Sequence, residues 1–192
     1  MLQQLLNTYQ IILGSKSPRR QQFLKDLNIP FEIRTSDCDE VYPHHLTSEK
    51  ITEFLAEQKS NTIKISNNEL LITADTIVWA NNKALEKPSN KEEACKMLET
   101  LSGTCHEVIT SVCIATHKKS IVFTDKTKVY FEELDSEEIN FYINHYKPFD
   151  KAGSYGIQEW IGWIGVSRIE GSYANVVGIP TSKLYKELKN FL

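Results

Sequence analysis

The sequence lacks the features that mark disulfide-linked, zinc-scaffolded and membrane-spanning proteins. Its four cysteines show no CxxC spacing, so neither a zinc site nor a disulfide framework is indicated. No apolar run approaches the roughly 20 residues that a membrane-spanning helix requires. The segment Met1 to Leu6 lacks the basic and apolar regions of a secretory signal. These absences predict a cytoplasmic protein with no membrane partner.

An excess of charge of one sign is missing as well. The formal net charge is −3 and charged residues make up 24% of the chain, close to the ordinary share in soluble proteins. This balance gives no reason to expect a stable nucleic-acid partner. Repeats, low-complexity tracts and Pro/Gly/Ser linkers are also lacking, so we expect residues 1–192 to form one domain.

Strand and helix patterns alternate along the chain. The apolar run over residues 70–79 is nearly continuous, which is typical of a strand at the centre of a sheet. The alternation predicts an α/β domain with a mixed sheet. Other predicted elements are strands over 9–13, 31–34, about 108–115 and about 121–131, helices that begin at Pro18 and near Ser48, Ser89 and Asp135, hairpin turns at Asn81-Asn82 and Glu170-Gly171, and a last helix with Leu184, Leu188 and Phe191.

Two arginines lie where an isolated helix would disfavour them. Ser17 and Pro18 predict an N-cap and a first helical position. Arg19 and Arg20 then fall in a first turn whose N–H groups already carry partial positive charge. A polyanion would compensate, because a strand, a short Gly/Ser loop and a helix N-terminus form a phosphate-binding site; a solvated basic turn is the alternative. The spacing excludes a Walker motif, which needs a longer glycine loop.

One carboxylate, that of Asp75, interrupts the central apolar run. A buried carboxylate is costly unless it is paired, hydrogen-bonded or bound to a metal. A hairpin centred on Asn81-Asn82 pairs positions whose numbers add to 163, which places Lys87 opposite Thr76 and beside Asp75. Lys87 could therefore neutralise Asp75 in a buried ion pair or share a ligand with it.

Three further groups could take part in chemistry. Lys59 falls on the buried side of its predicted helix, near a C-terminus that favours a cation in any case. The acidic turn with Asp39 and Glu40 is either solvated charge or an oxygen cluster for a divalent cation. In the loop over residues 150–158, two glycines permit close approach to a ligand and the Gln158 amide could read a base edge. A turn with a buried glutamine is the alternative for this loop.

Several separated motifs share one family resemblance. They are Ser15-Lys16-Ser17-Pro18-Arg19-Arg20, Asp39-Glu40, Ala56-Glu57-Gln58-Lys59, Ala74-Asp75-Thr76, Glu86-Lys87-Pro88, Leu101-Ser102-Gly103 and Asp150 to Gln158. Together they resemble the Maf family of nucleoside triphosphate pyrophosphatases over essentially the full chain. Two positions depart from the family pattern, which usually has Ala at Gly14 and often has Glu at Asp39. The second departure leaves open whether Asp39 or Glu40 is the acidic ligand.

The resemblance implies an ITPase-like fold, in which helices flank a central, mixed and strongly twisted sheet. It also implies metal-dependent hydrolysis between the α and β phosphates of a nucleoside triphosphate, with Mg²⁺ or Mn²⁺ held by Glu40 or Asp39 and by Asp75. Asp75 would be the proton acceptor, and Arg19, Thr76 and Gln158 would set the base specificity. The full set of implied substrate-binding residues is Ser15, Arg19, Arg20, Lys59, Thr76, Lys87 and Gln158.

The substrate is suggested by three of these motifs. Ala74-Asp75-Thr76 followed by Lys87-Pro88, together with the loop over residues 152–158, looks like the branch of the family that acts on dTTP and UTP. Modified pyrimidine nucleotides are left open as further substrates. A non-catalytic nucleotide-sensing module for cell division and a purine pyrophosphatase acting on ITP or XTP are the alternatives. The family resemblance and the apolar positions over residues 160–164 favour a homodimer.

Overall fold

The computed structural model of the chain describes residues 2–35 and 40–191. The chain divides into two compact units. Unit 1 comprises Met1–Asp75, Thr110–Asp125 and Gly178–Leu192, and unit 2 comprises Thr76–Ile109 and Lys126–Val177. The candidate ligand Asp39 lies outside the described residues. The expectation of one domain over residues 1–192 stays a prediction.

Within the described residues the strands form one mixed sheet. They are β1 Gln10–Leu13, β2 Glu32–Ile33, β3 Glu69–Ala80, β4 Lys83–Leu85, β5 Cys105–Ala115, β6 Ser120–Phe131 and β7 Val166–Glu170. Their order is β2-β1-β3-β5-β6-β7, with β4 paired to β3. β1 runs parallel to β2 and β3, whereas the β3–β4 and β6–β7 pairs are antiparallel. The predicted mixed sheet is confirmed, and β3 lies between β1 and β5 as its apolar run predicted.

Helices alternate with these strands, as expected of an α/β fold. They are α1 Leu2–Thr8, α2 Pro18–Asp26, α3 Glu49–Thr62, α4 Lys91–Leu101, α5 Ser136–Tyr146, α6 Trp160–Gly165, α7 Tyr173–Val177 and α8 Thr181–Asn190. In the part of the chain that the structure describes, none of the helices has both the length and the apolar character needed to cross a bilayer.

Unit 1 is built around β1 and the first half of β3. The paired residues Leu13 and Ile72 are completely buried. The predicted apolar side of α8 joins the same core through Leu184 and Leu188. Helix α1, which we did not predict, packs against α8. The first strand and the last helix of the chain thus belong to one core.

Unit 2 has a separate core around the second half of β3. Val78 of β3 is buried there with Leu98 of α4, Tyr142 of α5 and Ile161 of α6. Helix α5 begins near Asp135, as predicted, and it starts with a capping box in which the Asp135 side chain accepts from the backbone N–H groups of residues 137 and 138. These contacts hold the helices against the strand that continues directly from Asp75.

Two short-range sequence signals are confirmed in detail. The Ser17 hydroxyl accepts a hydrogen bond from the Arg20 N–H at 3.5 Å, so Ser17 caps α2. Asn81 and Asn82 have φ of 50° and 59°, the left-handed conformation that a tight hairpin requires. The β3–β4 pairs, including Val78 with Leu85, add to the predicted sum of 163. They end at Leu85, so the proximity of Lys87 to Thr76 stays a prediction.

Two other predictions at element ends are wrong. The pattern Ser89-Asn90-Lys91-Glu92 predicts a capping box with Ser89 as the N-cap, but Asn90 is the N-cap of α4, and its side chain accepts from the Glu93 N–H at 2.8 Å. The Glu93 carboxylate in turn accepts from the Ser89 N–H, so Glu93 rather than Glu92 is the acidic partner, and it does not bond the N–H of the N-cap residue itself. The segment after Glu170 does not return as a strand but begins α7. β7 instead pairs with β6, which precedes it, so no hairpin forms at this turn.

Candidate active site

The side chain of Arg20 forms hydrogen bonds with three other segments of unit 1. Its Nε donates to the Gly178 carbonyl at 3.0 Å, and its Nη1 donates to the Ala74 carbonyl at 2.8 Å and to the Ser15 hydroxyl at 3.4 Å. Desolvation by burial lowers the pKa of Arg20 below its usual value, and the negative charge of Asp75 partly offsets this effect. The arginine that opposes the helix dipole is therefore compensated by backbone carbonyls and by a carboxylate.

Asp75 lies at the end of unit 1 in an ion pair with Lys59. Lys59 Nζ is 2.5 Å from Asp75 Oδ1 and 2.9 Å from Glu40 Oε1. The Asp75 side chain is only 8% exposed, and that of Lys59 is 15% exposed. The sequence suggested Lys87 as a possible ion partner of Asp75, and the structure shows an ion pair of Asp75 with Lys59 of α3. One ammonium thus brings two carboxylates together.

Glu40 and Asp75 are two carboxylates that could supply oxygen ligands to a divalent cation. An oxygen of Glu40 and an oxygen of Asp75 each lie within hydrogen-bond distance of the same Lys59 ammonium. Mg²⁺ is commonly held by one or two carboxylates together with substrate phosphates, so a larger protein cluster is not required. Among the described residues, no group of three or more His, Cys, Asp or Glu side chains could hold a metal.

The remaining predicted residues of unit 1 lie around the first turn of α2. Ser15 is buried, and its hydroxyl accepts from the Ser17 N–H at 3.2 Å. Arg19 is half-buried at the second position of the helix. The loop between β1 and α2 is therefore held by its own serines, and its two arginines start from the same helix turn.

In unit 2, three predicted residues lie on separate segments. Thr76 follows Asp75 in β3 and is half-buried, Lys87 is exposed beyond β4, and Gln158 is half-buried. The Gly153 N–H donates to the Glu86 carbonyl at 3.2 Å, which joins the segment before Lys87 to the loop that carries Gln158. The Trp163 Nε1–H donates to the backbone carbonyl of Gln158 at 3.2 Å. This contact does not involve the side-chain amide of Gln158.

An ion network around the buried Lys151, which we did not predict, supports the Gln158 loop. Lys151 Nζ lies 2.7 Å from Asp150 Oδ1 and 3.1 Å from Glu159 Oε1, and the Lys151 side chain is only 9% exposed. The Tyr142 hydroxyl donates to Glu159 and accepts from the Gly156 N–H at 3.0 Å. Burial and the neighbouring Glu159 raise the pKa of Tyr142. In the sequence, only Lys151 with Gly153 and Gly156 after it marks this region, and that pattern does not indicate that Tyr142 of α5 contacts the loop.

A second buried polar pair in unit 2 contains His106. Its Nε2 shares a hydrogen bond with the Tyr155 hydroxyl at 2.8 Å, and its ring meets Phe131 edge-on at 5.2 Å. Burial lowers the pKa of His106 to about 4. His106 is therefore neutral in the fold at physiological pH and acts as part of the core beneath the loop.

This shift predicts how stability depends on pH. The unfolded chain binds the His106 proton near pH 6.5, whereas the folded chain binds it only near pH 4. The free energy of unfolding should therefore fall as pH drops from about 6.5 to 4, by roughly 3 kcal/mol in total from this residue. Urea unfolding of the wild type and of His106→Gln across this range measures the difference. Parallel pH profiles for the two proteins would contradict the assignment.

Comparison with known proteins agrees with the motifs assembled in this geometry. The family model described as Maf-like protein matches residues 10–191. The chain is 54% identical over 190 residues to a dTTP/UTP pyrophosphatase of Flavobacterium johnsoniae, covering 98% of each chain. It is 53% identical over 194 residues to a dTTP/UTP pyrophosphatase of Christiangramia forsetii, covering 100% of this chain and 99% of that one.

The fold has a counterpart among solved structures. A HAM1 protein from Coxiella burnetii superposes with a TM-score of 0.52 and 13% identity, over 95% of this chain and 99% of that chain. This likeness confirms the fold predicted from the resemblance. The match to the family model over most of the chain establishes the closer relationship, and the chain belongs to the family of Maf-like proteins.

Proposed function

We propose that the chain hydrolyses dTTP and UTP to the nucleoside monophosphate and pyrophosphate, and so helps to clear the nucleotide pool. The observation that carries this proposal is the nearly buried Asp75 held against Lys59 and Glu40 in a chain about half identical to dTTP/UTP pyrophosphatases. Hydrolysis of a phosphoanhydride depends mainly on positioning and on charge neutralisation. In this cluster, Asp75 is held in position by Lys59, and the Lys59 ammonium supplies positive charge.

Asp75 is the proposed proton acceptor. A water molecule attacks the α phosphorus, its proton passes to the Asp75 carboxylate, and the bond from the α phosphorus to the bridging oxygen breaks as pyrophosphate leaves. Lys59 holds the carboxylate in place through the 2.5 Å contact and, with Arg19, Arg20 and Lys87, offers positive charge to the phosphates. Arg20 does so from a side chain already braced on the Ala74 carbonyl.

A divalent cation, Mg²⁺ or Mn²⁺, fits the pair formed by Glu40 and Asp75. Hard oxygen ligands suit both ions, and the two carboxylates already converge on the Lys59 ammonium. When bound, the cation would supply further positive charge against the phosphate oxygens. Asp39 remains a second candidate ligand.

The base would be recognised by residues that the family resemblance implies. Arg19, Thr76 and Gln158 are the proposed specificity residues, and Ser15 is the proposed contact from the loop before α2. The Gln158 amide offers both a donor and an acceptor, which suits the edge of a pyrimidine. Its loop is held by the Lys151 ion network, with Lys151 Nζ 3.1 Å from Glu159.

A panel of triphosphates with product analysis tests the proposed function. The wild type with Mg²⁺ or Mn²⁺ should convert dTTP and UTP to monophosphate and pyrophosphate, with much slower turnover of ITP and XTP. Diphosphate plus phosphate as products would contradict the bond assignment. Faster turnover of ITP would favour the purine alternative, and tight binding of dTTP without products would favour the nucleotide-sensing module. The Asp75→Asn variant, purified by the same procedure and assayed in parallel, controls for contaminating hydrolases.

We also propose a homodimer that uses the exposed apolar end of α6. The Trp163 side chain is 80% exposed and Ile164 is 38% exposed, and exposed apolar groups of this size favour an interface. Nearby Phe141 of α5 is also exposed and contacts Trp160 with ring centroids 4.8 Å apart. A monomeric mass in solution at micromolar concentration would contradict this proposal.

A further inference from the structure

We propose that Thr73 is a positioning residue, which sets Lys59 against Asp75 by tying α3 to β3, and that Gly14 supplies the space that Thr73 needs. The inference rests on the proposed function, because its effect is read from dTTP hydrolysis. It adds two residues that touch neither the substrate nor the reacting atoms. Their role is to fix the distance between two groups that do.

The tie that Thr73 makes between strand and helix is a buried hydrogen bond. Thr73 is completely buried, and its hydroxyl donates to the Ala56 carbonyl at 2.7 Å. Ala56 precedes Lys59 by three residues, which is about one helical turn. Thr73 precedes Asp75 by two residues, so both side chains lie on the same face of β3. The hydroxyl thus fixes α3 one turn before the point where its lysine meets the carboxylate.

The methyl group of Thr73 occupies space that exists only because residue 14 is glycine. A Cβ on Gly14 would lie 2.5 Å from Thr73 Cγ2 and 2.9 Å from Ile63 Cδ1. The backbone cannot easily move away, because the Gly14 N–H donates to the Ile72 carbonyl at 2.8 Å. Because Gly14 lies between β1 and α2 and Thr73 lies on β3, this contact couples the loop between β1 and α2 to the strand that carries Asp75.

A second tie on α3 provides a matched comparison. The Thr52 hydroxyl, also completely buried, shares a hydrogen bond with the Ser111 hydroxyl of β5 at 2.6 Å. Thr52 lies seven residues before Lys59, about two turns away. Loss of this tie removes a comparable buried contact from the same helix but leaves the Thr73 bond next to Lys59 in place.

The first experiment compares Thr73→Val, Thr73→Ser and Thr52→Val in dTTP hydrolysis. Valine keeps the shape of threonine and removes the donor, so we expect kcat to fall about tenfold to a hundredfold, as for a displacement of about 1 Å in a catalytic group. KM should change less than about threefold, and Thr73→Ser should recover most of kcat. Thr52→Val should keep kcat near the wild-type value. Wild-type kcat in Thr73→Val, or an equal loss in Thr52→Val, would overturn the proposal.

The second experiment is a double-mutant cycle between the two coupled positions. Gly14→Ala should lower kcat by a factor similar to that of Thr73→Val, since the added methyl displaces Thr73. Serine lacks the Cγ2 methyl, so Gly14→Ala combined with Thr73→Ser should regain most of the lost kcat. The same loss from Gly14→Ala in both backgrounds would overturn the coupling.

The cycle also separates this inference from the proposed function. A wild-type protein that releases no pyrophosphate from dTTP would contradict the proposed function. The coupling would then be read from the thermal unfolding midpoint, which Gly14→Ala should lower in the wild type but much less in Thr73→Ser. Equal shifts in the two backgrounds would overturn the Gly14–Thr73 coupling whatever the activity.

Discussion

Replacing Asp75 by asparagine is expected to lower kcat for dTTP hydrolysis by about a hundredfold to ten-thousandfold, the range found for loss of a general base. Asparagine keeps the size of the side chain but cannot take the proton of the attacking water. Lys59 keeps its contact with Glu40 at 2.9 Å, so the ammonium stays near the site. Binding of dTTP, measured by calorimetry on the inactive variant, should therefore change much less than kcat.

The control for this experiment is another buried carboxylate of the same strand. Glu69 lies six residues before Asp75 in β3 and pairs with Arg34 through two hydrogen bonds of 2.7 and 2.8 Å. The bonds from Arg34 hold the pKa of Glu69 at about 2. Glu69→Gln should lower stability and leave kcat within about threefold, because this pair is structural.

The comparison between the two variants decides the role of Asp75. A kcat for Asp75→Asn within tenfold of the wild type would remove Asp75 from proton transfer. A loss in Glu69→Gln as large as that in Asp75→Asn would mean that damage to β3, rather than chemistry, explains both results. Unfolding midpoints for both proteins, measured in the same buffer, show whether each variant is folded at the assay temperature.

The parts of the fold that the sequence predicts correctly depend on neighbours close along the chain. The register of the β3–β4 hairpin follows from Asn81 and Asn82 alone, because the turn fixes which residues face each other. The start of α2 follows from Ser17 and Pro18 for the same reason. A charged residue in an apolar run, as at Asp75, is visible without any knowledge of the fold.

The parts that the sequence does not predict depend on contacts between distant segments. The partners of Arg20 are backbone carbonyls of Ala74 and Gly178, and a carbonyl has no signature in the sequence. The support of the Gln158 loop comes from Tyr142 on α5, which can be identified only after that helix has docked. The candidate residues of the site could therefore be predicted from the sequence. The hydrogen bonds that hold Arg20 and the Gln158 loop in place could not.

The incorrect hairpin after Glu170 has a similar cause. Gly171, with φ of 128°, permits a turn, and the sequence alone cannot distinguish a return strand from the start of a helix. In the structure the Ser172 N–H donates to the Thr127 hydroxyl at 3.0 Å, and the Ser172 hydroxyl accepts from the Asn175 N–H at 3.2 Å. The strand that pairs with β7 is β6, which precedes β7 in the sequence, so no strand after Glu170 is needed as its partner. The turn therefore opens a short helix.

Gly153, in the Gln158 loop, should tolerate a methyl group poorly. Gly153 has φ of 65°, and a Cβ there would lie 2.7 Å from Val78 Cγ2 and 2.9 Å from Val78 Cβ. The left-handed conformation costs a non-glycine residue about 1 kcal/mol, and overpacking against a branched core side chain adds about 2 kcal/mol. Gly153→Ala should therefore lower the free energy of unfolding by about 3 kcal/mol, measured by urea denaturation.

Gly103 offers a control with the same backbone conformation and different surroundings. Its φ is 64°, but a Cβ there would lie 3.1 Å from Cγ of Glu133, an exposed side chain that can move aside. Gly103→Ala should then cost only the backbone contribution, about 1 kcal/mol. The cost of Gly153→Ala should also fall when Val78→Ala removes the two γ carbons. Equal costs for both glycines would mean that backbone conformation, rather than contact with Val78, limits this loop.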